Sequence, residues 1–201
     1  MSARLPKLEF WYDFASTYSY LSAMRIEALA AAAGMEVAWR PFLLGPIFAA
    51  QGWTTSPFNL YPAKGRNMVR DIERLAAERG LGFALPQKFP QNSLMAARLA
   101  LVGSDEGWIA PFTRAVYVAE FAHAADISDG QALSPILQSL HLDSQKIFAR
   151  IEQADIKDRL KRQTAEAQAR GIFGAPSFFA GGELFWGDDR LEQALAWTGR
   201  G

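Results

Sequence analysis

The sequence has no cysteine and only two histidines among its 201 residues. Without cysteine the chain cannot form a disulfide, bind a metal through thiolates or use a thiol of its own in catalysis. His123 and His141 alone are too few for a histidine-rich metal site. We therefore predict no metal cofactor, and any thiol chemistry would need a thiol from another molecule.

The sequence also has no excess of charge of one sign and no long apolar run. Lysine and arginine number 21, as do aspartate and glutamate, and no basic run stands out, which argues against a nucleic-acid partner. No apolar segment approaches the roughly 20 residues that span a bilayer, so we expect no membrane insertion. Residues 1–9 lack the apolar core of a secretory signal, which gives the expectation of a cytoplasmic protein.

The most informative stretch is the aromatic-rich junction around Ser16. Leu8 to Phe14 has the composition of a buried strand. After Ser16 the apolar period becomes helical, and we predict a helix over residues 17–33 that ends at Gly34. This places Ser16 at or beside the N-cap of the helix.

Two interpretations of Ser16 follow from this position. A serine there commonly does no more than cap the helix. However, the free backbone N–H groups and the dipole at a helix start also favour an anion, and a hydroxyl held there could donate a hydrogen bond to a thiolate or oxyanion. A Ser–His–carboxylate triad is disfavoured, because Ser16 lacks the sequence context of a nucleophile elbow. The residues alone leave capping and catalysis open.

The rest of the first third predicts one more strand and a loop. Met35 to Phe42 alternates between apolar and polar residues, so residues 7–42 form a strand–helix–strand unit with a parallel pair and a right-handed crossover. Residues 43–63 lose periodicity and are rich in glycine, proline and aromatics, which indicates a long binding loop.

The middle of the chain is predicted to be all helical. Lys64 to Arg79 has one apolar face and is followed by Gly80. Pro135 conflicts with one continuous helix, so we expect a kink or a restart there. The remaining helices are predicted to begin near Asn92 or Ser93, after Ser104, at Ser128 in a capping box, at Asp143 and at Asp155.

The chain becomes strand-like again after Gly171. Ser177 to Ala180 and Glu183 to Trp186 are predicted strands joined by a two-residue Gly-Gly turn. Asp188 or Asp189 then begins a last helix. We therefore predict an α/β fold in which residues 1–44 and 166–201 form one discontinuous domain, interrupted by a helical domain of residues 45–165.

Short motifs across the chain carry a family resemblance. They are Asp13–Leu21 (DFASTYSYL), Pro62–Arg66 (PAKGR), Phe89–Leu94 (FPQNSL), Gly174–Phe178 (GAPSF) and Phe185–Leu191 (FWGDDRL). Each is weak alone, but in this order and spacing they resemble the 2-hydroxychromene-2-carboxylate isomerases, relatives of kappa-class glutathione transferases and DsbA-type oxidoreductases. The similarity covers nearly the whole chain. It departs at Thr17, where the family usually has proline.

The resemblance implies a thioredoxin-like fold with a large helical insertion, glutathione as cofactor and a homodimer. Ser16 would donate a hydrogen bond to the glutathione sulfur, and Ala175-Pro176 would form a cis-proline turn that pairs with its cysteinyl backbone. The remaining glutathione contacts implied by the resemblance are Asn59, Lys64, Asp188 and Asp189. From the residues alone, other interpretations stay open: Pro176 as a trans proline, the two aspartates as caps only, and Lys64 as a solvated residue at a helix start.

The activity implied by the resemblance is glutathione-dependent cis–trans isomerisation of 2-hydroxychromene-2-carboxylate to trans-o-hydroxybenzylidenepyruvate, a step of aromatic catabolism. Trp53 and Phe58, in the irregular loop, are the best candidates for touching a small aromatic substrate. One alternative is a kappa-like glutathione transferase that conjugates small electrophiles. A second is a non-catalytic thioredoxin-like module that binds extended peptides. A disulfide oxidoreductase is excluded by the lack of cysteine.

Overall fold

The computed structural model describes residues 5–198. Residues 1–4 and 199–201, which the sequence assigns to the discontinuous domain, lie outside the described part, as does the start of the segment tested for a secretory signal. The strands are β1 (Lys7–Tyr12), β2 (Glu36–Pro41), β3 (Ser177–Ala180) and β4 (Glu183–Trp186). The helices are α1 (Thr17–Ala23), α2 (Ile26–Ala32), α3 (Leu44–Ala50), α4 (Pro57–Leu60), α5 (Pro62–Glu78), α6 (Leu94–Glu106), α7 (Ile109–Phe121), α8 (Gly130–Ser139), α9 (Ser144–Ile151), α10 (Ala154–Ala169) and α11 (Leu191–Thr198), with a 3₁₀ turn at Asp188–Arg190.

The four strands form one mixed sheet in the order β2-β1-β3-β4. β1 pairs in parallel with β2 and antiparallel with β3, so that Phe10 lies between Trp39 and Phe178. β3 and β4 form the predicted hairpin across the Gly-Gly turn. Both ends of the chain therefore build the same sheet, and the helices between β2 and β3 are inserted. The division into two domains at residues 44/45 and 165/166 stays a prediction.

Strand β1 is buried on both faces. Phe10, Tyr12 and Phe14 face the helices, where Phe10 stacks on Tyr12 with ring centroids 5.0 Å apart. Trp11 points to the opposite face and packs edge-on against Phe42 at 6.2 Å. This explains the continuous apolar composition of the strand, since a strand covered on both faces does not alternate.

The first predicted helix is two helices. α1 ends at Ala23, and α2 begins at Ile26 after Arg25, whose φ of −127° is not helical. Neither glycine nor proline marks this break. The physical reason is tertiary, because the Arg25 guanidinium reaches Asp188 and Glu192 near the other end of the chain. The prediction that Gly34 ends this helical region is confirmed, because Gly34 has a φ of +68°.

Other boundaries also differ from the sequence prediction. The expected loop over 43–63 contains α3 and α4, and the first N–H of α3 donates to the distant Asp13 Oδ2 at 2.7 Å. A cap supplied 31 positions away leaves no local sequence signal.

Ser104 lies inside α6, which continues to Gly107 with φ +84°. Pro135 lies within α8, Asp129 rather than Ser128 caps that helix, and Gln153 rather than Asp155 precedes α10.

Across residues 5–198, no helix combines the length and the apolar character needed to cross a membrane.

Candidate active site

Ser16 lies where β1 passes into α1, and its hydroxyl has two partners. Its Oγ accepts the backbone N–H of Ser19 at 3.2 Å, which is the N-cap contact of α1. The same hydroxyl donates to the carbonyl of Ala175 at 2.9 Å. The capping interpretation is therefore confirmed, and the hydroxyl proton also points at a turn 159 positions further along the chain.

That turn is the predicted cis-proline turn. The Ala175–Pro176 peptide bond is cis, and the Pro176 carbonyl accepts the N–H of Gly187 at 3.0 Å. Within residues 5–198 the N–H of Ala175 has no hydrogen-bond acceptor, and Ala175 is half-buried. An extended ligand could therefore pair with this backbone group beside Ser16.

The helix behind Ser16 is shorter than expected. α1 has seven residues, so its dipole is weaker than that of the predicted helix over 17–33. Thr17, the departure from the family pattern, does not cap the helix. Its hydroxyl donates to the Met68 sulfur at 3.4 Å and so joins the start of α1 to α5.

Next to Met68 is a pocket of about 400 Å³, here called the α1 pocket. Lys64 is exposed and lies 5.0 Å from the centre of the Tyr61 ring. The Tyr18 hydroxyl donates to Asp71 at 2.8 Å, and burial together with this carboxylate raises the pKa of the Tyr18 phenol. Tyr18 therefore stays protonated as a hydrogen-bonding group. The pocket is lined by Tyr18, Phe58, Ala63, Lys64, Asn67 and Met68.

A second pocket of about 470 Å³, here called the α4 pocket, shares Phe58 and Met68 with the first. Asn59, one of the predicted glutathione contacts, lines the α4 pocket and not the α1 pocket. Its amide donates to Thr55 Oγ1 at 3.2 Å and to the Phe89 carbonyl at 3.3 Å. Asn59 thus ties α4 to the loop before α6.

The two predicted aspartates have different surroundings. The Asp188 side chain is 3% exposed and accepts hydrogen bonds from Ser22 Oγ at 2.8 Å and from the Arg79 guanidinium at 2.6 Å, with Arg25 3.3 Å away. Asp189 is 74% exposed, and its ion pair with Arg190 is long at 3.6 Å. Of the two, only Asp189 offers its carboxylate to a ligand in solution.

Two further buried carboxyls lie behind Ser16. Asp13 accepts the N–H groups of Ala15 and Leu44 at 3.0 and 2.7 Å, yet burial raises the pKa of its carboxyl. Glu120 is fully buried, and neither of its carboxylate oxygens has a hydrogen-bond partner within the described residues. Burial first, then the charges of Asp13 and Asp126, raise the pKa of Glu120 well above its usual range. We conclude that Glu120 is held in its protonated form.

The structure therefore places the predicted residues in different parts of the molecule. Ser16 meets the Ala175-Pro176 turn, Lys64 lines the adjoining α1 pocket, and Asn59 lines the α4 pocket. Asp188 belongs to a buried ion-pair network. Of the two predicted substrate contacts, Phe58 lines both pockets, whereas Trp53 packs on Phe48 with ring centroids 5.6 Å apart.

Sequence reasoning missed Tyr18, Arg66 and Met68, which line the pockets. Met68 has the helical spacing of a core residue, and no sequence signal indicated that it would also line a pocket. Within residues 5–198, no group of histidine, aspartate and glutamate side chains could hold a metal ion.

Comparison with known proteins gives consistent results. A family model described as a DSBA-like thioredoxin domain matches residues 7–196. The 2-hydroxychromene-2-carboxylate isomerase of Sphingobium xenophagum is 27% identical over 186 residues, which cover 92% of this chain and 94% of the relative. Glutathione S-transferase kappa 2 of Caenorhabditis elegans is 24% identical over 84% of this chain and 78% of its own length.

The structural comparison supports the same fold. A solved structure of a 2-hydroxychromene-2-carboxylate isomerase superposes with a TM-score of 0.87 at 24% identity, over 96% of this chain and 95% of that one. The mixed sheet with inserted helices is thus a thioredoxin-like fold of the DsbA type. From the match over residues 7–196, the chain belongs to the family of DSBA-like thioredoxin domains and is similar within it to 2-hydroxychromene-2-carboxylate isomerases and kappa-class glutathione transferases.

Proposed function

We propose that this protein is a glutathione-dependent cis–trans isomerase that acts on a ring-opened 2-hydroxychromene-2-carboxylate or a similar aromatic enone in aromatic catabolism. The observation that carries the proposal is the contact of Ser16 Oγ with the Ala175 carbonyl, 2.9 Å apart, in a chain without cysteine. Because the chain has no thiol, a nucleophilic sulfur would have to come from a bound cofactor. The Ser16 hydroxyl beside the cis-proline turn could donate a hydrogen bond to that sulfur.

The residues around Ser16 fit glutathione as a ligand. Its extended peptide backbone would pair with the unpartnered N–H of Ala175. Its carboxylates would meet Lys64, for which the structure gives no carboxylate partner within residues 5–198. Its ammonium group would meet the exposed Asp189. We do not assign the Asp188 carboxylate to this site, because two arginines and Ser22 already use it.

Bound glutathione would supply a nucleophilic thiolate for reversible addition to the conjugated enone, which would turn a double bond into a rotatable single bond with no net change in composition. The role of Ser16 is to turn its O–H from the Ala175 carbonyl toward the sulfur. The N–H of Ser19 continues to donate to Ser16 Oγ and polarises the hydroxyl. A hydrogen bond to the charged sulfur increases the thiolate fraction, which is small for an unperturbed thiol at neutral pH.

The test is Ser16→Ala, assayed for isomerisation with and without glutathione. We expect kcat to fall by about 100-fold, the usual effect of removing one donor to a reacting anion. The pKa of bound glutathione, followed by thiolate absorbance, should rise in the same variant.

Two controls accompany this variant. Ser16→Thr keeps the hydroxyl and should retain most of the activity. Because Ser16→Ala also removes a helix cap worth about 1 kcal/mol, its unfolding in urea must show that the protein remains folded. An unchanged rate in Ser16→Ala, or a full rate without glutathione, would disprove the mechanism.

A kappa-like glutathione transferase is the second candidate, and the similarity to the nematode kappa 2 enzyme favours it. In that case the same sulfur would form a lasting bond to an electrophile. Conjugation of an aryl halide, measured beside isomerisation of the enone, separates the two activities. A homodimer is also proposed from the family resemblance, and light scattering on the purified chain would test it.

A further inference from the structure

The α4 pocket contains an arginine that no protein carboxylate neutralises. Arg66 lines this pocket, and within residues 5–198 no ion pair or hydrogen bond involves its guanidinium. Arg70, one turn later on the same wall, is paired with Glu73 at 2.7 Å. The charge of Arg66 is therefore available to a ligand, whereas that of Arg70 is not.

Lys64 and Arg66 lie on different sides of α5. Residues two positions apart on a helix lie about 200° apart around its axis. In agreement with this, Lys64 lines only the α1 pocket and Arg66 only the α4 pocket. Phe58 and Met68 form the wall that both pockets share. Among the described residues, Lys64 in the α1 pocket and Arg66 in the α4 pocket each lack a carboxylate partner.

The apolar walls of the α4 pocket are held in place by the fold. Phe89 packs edge-on against the buried Phe121 with ring centroids 6.2 Å apart, and its carbonyl accepts the Asn59 amide. A Cβ at Gly65 would clash with the Phe58 carbonyl oxygen, so glycine is what lets α4 approach α5 and place Phe58. Together with Leu85, these rings present an apolar surface beside Arg66.

From this arrangement we infer that the α4 pocket binds a planar aromatic carboxylate, with its ring between Phe58 and Phe89 and its carboxylate on Arg66. An arginine fork matches the two oxygens of a carboxylate. The assignment of this ligand as the electrophilic substrate rests on the proposed function, because it places the substrate beside the pocket assigned to glutathione. Arg66 then determines specificity for acids, separately from Lys64.

The inference is tested by calorimetric binding of trans-cinnamate and of its uncharged analogue cinnamamide to the full chain without glutathione. The wild-type protein should bind the acid about tenfold more tightly than the amide, a difference of about 1.4 kcal/mol. Arg66→Gln should abolish this preference without weakening the amide, and Arg66→Lys should restore part of it. Leu85→Ala, which alters only the apolar wall, should weaken both probes to the same degree.

Two further variants serve as controls. Arg162→Gln removes an equal charge from an exposed arginine of α10 that has no ion pair in the described part of the chain, and it should keep the preference. Lys64→Gln should keep the preference as well, but weaken glutathione binding. Equal binding of acid and amide by the wild type, no binding of the acid at millimolar concentration, or a preference that survives Arg66→Gln would each overturn the inference.

Failure of this inference can be told apart from failure of the proposed function. Loss of the preference in Lys64→Gln instead of Arg66→Gln would move the acid into the α1 pocket and overturn the inference alone. If the wild-type protein binds no glutathione but Arg66 still governs the acid preference, the proposed isomerase mechanism fails and the aromatic acid site stands.

Discussion

Asp188 and Glu120 are both buried carboxyls, but they are buried in opposite ways. The Asp188 carboxylate accepts hydrogen bonds from Arg25, Arg79 and Ser22. Glu120 has no hydrogen-bond partner among the described residues, and the charged groups that raise its pKa, Asp13 and Asp126, are themselves acidic. Burying a carboxylate is costly unless it is paired, and an unpaired one takes up a proton instead. Asp188 therefore stabilises the packing between segments near the two ends of the chain. Glu120 makes the free energy of unfolding depend on pH.

The largest effect is expected for Asp188→Asn, which removes the charge that two arginines share. Breaking a buried ion pair typically costs 3–5 kcal/mol, and we expect about 3 because both arginines are partly exposed and can turn to water. Urea unfolding measures this loss. Asp189→Asn, at the exposed neighbour, should change stability by less than about 0.5 kcal/mol. Equal effects of the two variants would contradict the structural role of Asp188.

The next effect concerns Glu120, whose pKa is raised in the folded protein by burial. The folded state then holds this proton after the unfolded state has lost it, so stability falls as pH rises from the ordinary carboxyl range through the raised pKa. The slope is at most about 1.4 kcal/mol per pH unit for one group. Glu120→Gln removes this titration and should flatten the decline in stability as pH rises above the ordinary carboxyl range, measured by urea unfolding.

Part of the decline should remain in Glu120→Gln, because burial also raises the pKa of Asp13 and acts with the same sign. If the variant keeps the full wild-type slope, Glu120 is not the titrating group. A slope of opposite sign in the wild type would contradict the burial of both carboxyls.

A smaller loss is expected when one neutral donor is taken from Asp188. Ser22→Ala removes a hydroxyl that donates to Asp188 Oδ1 at 2.8 Å. A hydrogen bond to a charged group contributes about 1.5 kcal/mol or slightly more, and the arginines still neutralise the carboxylate. Thermal unfolding of Ser22→Ala and of Ser22→Thr, which keeps the hydroxyl, should show a loss only in the alanine variant.

The smallest effect should come from Glu192, which shares Arg25 with Asp188 but has a side chain that is 59% exposed. Solvent screens exposed ion pairs, and their contribution is commonly below about 1 kcal/mol. Glu192→Gln should therefore lower stability by a few tenths of a kcal/mol, and added salt should reduce the difference further. A loss as large as that of Asp188→Asn would show that Glu192, rather than Asp188, holds Arg25.

Local patterns predicted the strands well. The Gly-Gly hairpin and the Ser16 cap follow from turn chemistry and from the change of period, both of which operate over a few residues. The break at Arg25 and the start of α3 could not be predicted, since each depends on a carboxylate far along the chain. The family resemblance, rather than periodicity, predicted the cis bond before Pro176.

The site was predicted less completely than the fold. Motifs indicated Ser16 and the Ala175-Pro176 turn, which the structure brings into contact, and Lys64, which lines the α1 pocket, but sequence could not separate Asp188 from Asp189. The two aspartates are adjacent on the chain, and only the tertiary positions of Arg25, Arg79 and Ser22 make Asp188 a buried ion-pair partner. Arg66 looked like any exposed arginine of a helix until the fold placed Phe58 and Phe89 beside it.

The sequence by itself determined the order of the strands, the chemistry that a chain without thiols can perform, and the residue at the start of α1. These depend on composition and on neighbours within one or two turns. Only the tertiary structure decided which carboxylates pair with arginines, where α1 stops, and which side chains line each pocket. Each of those outcomes depends on the distance between groups far apart in the chain, and packing alone sets that distance.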